Sequence, residues 1–62
     1  MTLQEEKQMF ESLLTRTTNE YLLNDINGFI QMVDGEINGD ERGDRPSAED
    51  FKNHLEFLQQ VS

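Results

Sequence analysis

The spacing of Leu22, Ile26, Phe29, Val33 and Ile37 constrains this chain more than any other feature. Steps of four, three, four and four place all five on one narrow stripe of a 3.6-residue helix, with Leu23 and Ile30 along its edge. Asn24, Asn27, Gly28, Gln31 and Gly35 fall on the opposite side. A helix with one face to bury is therefore expected from about Glu20 to Asn38. Gly39 ends it, because a residue without a Cβ suits the left-handed position that follows many helices. Gly28 and Gly35 lie on the expected solvent face and weaken the helix by about 1 kcal/mol each relative to alanine. A rival pattern, with strands 29–33 and 36–38 joined by an Asp34-Gly35 turn, is disfavoured because the stripe runs unbroken through that turn.

The flanking segments read as two further helices. Thr2 and Glu5 have the capping-box spacing, in which a hydroxyl and a carboxylate each satisfy a backbone N–H of the first turn. The helix they start has Leu3, Phe10, Leu14 and Thr17 on its apolar face, flanked by Met9 and Leu13. Thr15 to Asn19 collects residues that compete with helical hydrogen bonding, and Thr17 with Glu20 repeats the capping-box spacing, so a break is expected at 16–19. Asp40 to Pro46 contains no apolar residue and reads as an exposed loop punctuated by Gly43 and Pro46. Ser47 and Asp50 then start a last helix over 48–60, with Ala48, Phe51, Leu55 and Leu58 in one stripe widened by His54, Phe57 and Val61.

The expected fold class is all-α: one domain over residues 1–62, built as a small three-helix bundle or a helical hairpin plus a C-terminal helix. Its expected core is Phe10, Leu14, Leu22, Ile26, Phe29, Val33, Phe51, Leu55 and Leu58. A chain this short rarely draws much stability from one core. Completion by homodimerisation is therefore expected, through the uncovered edge of the central helix or through Phe57 and Met32.

Cysteine is absent, which excludes a disulfide framework and a zinc–thiolate site. No apolar run approaches the roughly 18 residues of a membrane span, and the acidic start at Met1–Glu6 is unlike a secretory signal. A cytoplasmic location is expected. Thirteen acidic against five basic residues give a net charge of −8, which argues against direct contact with nucleic acid or an anionic membrane and for a basic protein partner.

No constellation points to catalysis. His54 sits at the edge of an apolar face, where a lone histidine packs with one end in water, and Ser12, Ser47 and Ser62 occur in no nucleophile elbow. The pairs Glu5/Glu6 and Asp40/Glu41 would need a water-shielded cleft to split their pKa values. No enzymatic activity and no cofactor are expected. Asp34-x-Glu36-x-Asn38-Gly39 begins like a calcium-binding EF-hand loop, but the twelfth position, which should supply a bidentate carboxylate, is Arg45. No metal is expected. Arg42-Gly43-Asp44, the integrin-recognition tripeptide, reads as a chance match in a polar loop.

The charge is unevenly distributed. Residues 34–50 hold Asp34, Glu36, Asp40, Glu41, Asp44, Glu49 and Asp50 against only Arg42 and Arg45, a net −5. Such an array can mimic a phosphate backbone and attract a basic DNA-binding groove, so these seven acids are the candidate partner-binding residues. Glu20-Tyr21, then Glu36-Ile37-Asn38, then Phe51-Lys52 in an amphipathic last helix resembles the layout of the small acidic AbbA-type antirepressors of Gram-positive bacteria over roughly the C-terminal half. Those are helical DNA mimics that occupy a transcription factor's DNA-binding face. The resemblance implies that Glu36, Asp40, Glu41, Asp44 and the acids near Phe51 carry the contact. The expected function is regulatory: binding and inhibiting a DNA-binding or nucleic-acid-processing protein of bacterial or phage origin. The alternative is a homo-oligomeric structural or assembly protein that binds through an apolar helix face.

Overall fold

A computed structural model of the chain describes residues 1–61, and three helices follow one another in it: α1 (Leu3–Leu13), α2 (Glu20–Ile37) and α3 (Ala48–Val61). No strand occurs among the described residues, so the all-α reading holds and the hairpin alternative at Asp34-Gly35 does not. Each boundary has a local chemical cause. At the start of α1 the Thr2 Oγ1 accepts from the Glu5 N–H at 3.1 Å and the Glu5 carboxylate accepts from the Thr2 N–H at 3.1 Å, the full capping box. Those bonds favour the charged form of Glu5 and hold its pKa below the ordinary 4.5. At the start of α3 the Ser47 Oγ accepts from the Asp50 N–H at 3.1 Å.

The turn between α1 and α2 differs in detail from expectation. The cap of α2 is Asn19, whose Oδ1 accepts from the N–H groups of Tyr21 and Leu22. Thr17 instead accepts from the Asn19 N–H, steering the chain into that cap. Because Asn19 offers an acceptor of its own, the Thr17/Glu20 spacing is not used. The end of α2 is a Schellman closure: the Gly39 N–H reaches the Glu36 carbonyl and the Asp40 N–H reaches the Gly35 carbonyl. Gly39 takes φ +110°, a conformation other residues rarely adopt. This turn brings the Asp40 carboxylate over Gly35, 2.7 Å from where a Cβ would stand. Gly35 is therefore half-buried beneath its own C-terminal turn, in place of the solvent-facing position expected for it.

α1 packs against both α2 and α3, while no Cα of α2 comes within 8 Å of one in α3. Side chains bridge the gap. Phe10 of α1, Phe29 of α2 and Phe51 of α3 form an aromatic trio with ring centroids 5.2–6.2 Å apart, the tilted and edge-on arrangements that aromatic quadrupoles favour. The buried core is Phe10, Leu13, Ile26, Val33, Ala48, Phe51 and Leu55. Of the expected core, Leu14, Leu22, Phe29 and Leu58 are only half-buried. Leu13 continues the buried stripe of Glu6 and Phe10 and leaves Leu14 at its edge as the C-cap of α1, and the separation of α2 from α3 leaves Leu22, Phe29 and Leu58 beside an open seam. Whether Val61 widens the α3 stripe lies outside the described side chains.

Phe10 is fully buried and touches both other rings, so Phe10→Ala is expected to cost about 3–5 kcal/mol in urea denaturation, and the half-buried Phe29→Ala clearly less. Gly39→Ala is expected to cost about 1–2 kcal/mol by straining the closing turn.

Candidate functional site

The segment after α2 is polar throughout, and one of its residues turns inward. Arg45, expected in an exposed loop, has a fully buried side chain. Its Nε donates to Glu36 Oε2 at 2.6 Å and its Nη2 to Glu36 Oε1 at 2.9 Å. The other edge forks onto Glu6, with Nη1 to Oε1 at 2.8 Å and Nη2 to Oε2 at 3.3 Å. The remaining Nη1 proton reaches the Pro46 carbonyl at 3.1 Å. All five guanidinium donors are thus used. Glu6 Oε1 also accepts from the Ala48 N–H, the first of α3, so this cluster ties α1, α2, the loop and the start of α3 together. No buried side-chain polar atom among the described residues lacks a partner.

The electrostatics follow from the geometry. Arg45 holds the carboxyls of Glu6 and Glu36 below their ordinary range, outweighing the burial that pushes them up. The two carboxylates in turn push the Arg45 pKa up. The cluster carries a net −1, from two carboxylates and one guanidinium.

This arrangement corrects part of the acidic array. Glu36 is buried and committed to Arg45, so it is not a surface carboxylate. Ile37, assigned to the core stripe, is only half-buried: the stripe of α2 continues from Val33 to Glu36. Asp34 is exposed but held by Lys7 of α1 at 3.0 Å, a contact that pushes the Lys7 pKa up. Asp40, Glu41, Asp44, Glu49 and Asp50 are exposed, and no ion pair engages them among the described residues. Removing Glu36 and Arg45 together leaves six acids against Arg42 over residues 34–50, so the outward charge is still −5.

The loop that displays these acids is anchored at several points. The Schellman turn fixes its start, Arg45 fixes its end, and Gly43 between them lies directly on the Met32 methyl of α2, closer than any side chain at 43 would allow without Met32 moving. The glycine of Arg42-Gly43-Asp44 is accordingly a packing residue, while Arg42 and Asp44 face outward and Arg42 reaches the Arg45 carbonyl at 3.5 Å. Met32, offered above as part of a dimer surface, is half-buried beneath this glycine. His54 is exposed with its ring against Phe51. Glu36 is taken by Arg45 and Asp34 by Lys7, so the EF-hand-like positions point to different cations. Among the described residues no group of three His, Cys, Asp or Glu side chains could hold a metal ion, and no helix is long and apolar enough to cross a membrane.

Sequence reasoning passed over Glu6 and Arg45. A signal existed for the first: Leu3, Glu6, Phe10 and Leu13 follow steps of three, four and three, which puts a carboxylate on the core face of α1. No protein-family model, curated protein or solved structure matches the chain.

Arg45→Met is expected to lower the melting midpoint by about 10 °C or more, since it leaves two buried carboxylates without a partner. Adding Glu6→Leu and Glu36→Leu should recover most of the loss. The pH dependence separates this cause from simple loss of packing. In the natural chain both carboxyls have folded pKa values below 4.5, so their contribution is present above that pH and lost as pH falls through the lowered values. In Arg45→Met burial without the guanidinium pushes both carboxyls up, so the gap between the two melting midpoints should narrow as pH falls through the raised values toward 4.5.

Proposed function

We propose that this chain binds a basic protein partner through the acidic surface of Asp40, Glu41, Asp44, Glu49 and Asp50, and that it competes there with nucleic acid. The observation that carries the reading is the exposure of these five carboxylates on a loop and helix start that are anchored from within. A fixed array of like charges gives a partner's cationic groove a preformed target, and the cost of ordering the loop is already met before association. The net charge of −8 supplies a long-range field of the same sign as DNA. The resemblance to the small acidic antirepressors supports the same class of partner, a DNA-binding or nucleic-acid-processing protein of bacterial or phage origin.

The test is capture from a bacterial lysate at low and high salt, followed by competition with duplex DNA. Recovery of a nucleic-acid-binding protein that DNA displaces is the expected result. Asp40→Lys combined with Glu41→Lys should slow association with that partner by about ten-fold at low salt and leave the melting midpoint unchanged. A partner held equally well by the double variant and at high salt would remove this reading.

A further inference from the structure

The three helices leave an apolar groove where α2 and α3 stand apart. It measures about 360 Å³ and is lined by Thr17, Asn19, Tyr21, Leu22, Leu58 and Gln59. Tyr21 on one bank is 82% exposed. A large aromatic side chain in water beside an apolar floor is a ready contact for a partner. The groove lies between two helices, and no strand edge exists among the described residues to pair with an extended peptide, which leaves a helix laid into the groove as the fitting shape.

Charge decides the character of that helix. Glu20 precedes Tyr21, and Asp25 follows Tyr21 and Leu22 by one turn on the same face; both are exposed. Across the groove Glu56 lies one turn before Gln59 and meets Arg16 at 3.6 Å. Three carboxylates against one guanidinium give the rim a net −2. A second copy of this chain fits poorly, because it would bring another −8 to an acidic rim. We propose that the groove receives an amphipathic helix of the partner, with apolar side chains against Tyr21, Leu22 and Leu58 and lysines or arginines over Glu20 and Asp25. The proposal rests on the reading above only for the partner's basic character, and it supplies an apolar contact that the acidic loop lacks.

The probe is a synthetic leucine–lysine amphipathic helical peptide titrated into the ¹⁵N-labelled full chain. Amide shifts should cluster at 17–25 and 55–59, and Tyr21→Ala, at a position too exposed to matter for folding, should weaken binding by about ten-fold. Asp25→Lys should weaken it further at low salt, while Asp40→Lys with Glu41→Lys should leave it within about two-fold. Shifts confined to 34–50, or affinity indifferent to Tyr21→Ala in a folded variant, would overturn the proposal. So would concentration-dependent broadening of the 17–25 amides in the free chain, which would assign the groove to a second copy. In the lysate capture, loss of the partner by Tyr21→Ala but not by the charge-reversed double variant would keep the groove and remove the acidic-surface reading. The converse would keep that reading and remove the groove.

Discussion

One guanidinium decides how this bundle is closed. Arg45 sits between Glu6 and Glu36 with every donor used, and the positions of the loop, the end of α2 and the start of α3 follow from that contact. Burying three charges is costly, and well-packed apolar groups at the same places often give equal or greater stability. What the ions add is direction. A leucine at 45 could settle into the core at many angles, whereas two bidentate forks accept a narrow one. Lysine could not replace arginine there, since its single ammonium cannot span both carboxylates in a plane.

The same contact explains which parts of the fold were legible in the sequence. The α2 stripe, the Thr2/Glu5 box, the Ser47 cap and Gly39 are local, and each carried its own signature. The errors arose where the determinant was distant. Leu22, Phe29 and Leu58 remain half-buried because α2 and α3 do not close on each other, which is not visible in the periodicity of one segment. Leu13 could have been preferred to Leu14, since it continues the steps of Leu3, Glu6 and Phe10. Glu6 and Glu36 could have been found, since both occupy apolar phases of their helices. Arg45 could not, because nothing in a polar loop distinguishes a cation that turns in from one that stays out.

The acidic surface was legible as a quantity but not as an arrangement. Counting residues 34–50 gives the right net charge, yet Glu36 lies inside and Asp34 is held by Lys7. The remaining five acids differ in kind from a solvated tail of equal charge. Asp40, Glu41 and Asp44 stand on a segment held by the Gly39 turn and Arg45, and Glu49 and Asp50 on the first turn of α3, so their mutual spacing is a property of the fold. The groove beside Tyr21 was not legible at all, because it comes from the space between two helices that share a neighbour.

That shared neighbour is α1, and its position makes the display of charge a property of the whole fold. α1 and α2 are joined by a short turn and can pair early through local contacts. α3 has no backbone footing on α2 and must dock on α1, across a separation of 42 residues at the Glu6–Ala48 bond. Arg45 finds its full set of partners only where α1, α2 and the start of α3 meet. The shape of the loop thus depends on the packing of all three helices, and a partly folded chain would carry the same charge as the native one without displaying it as an ordered array.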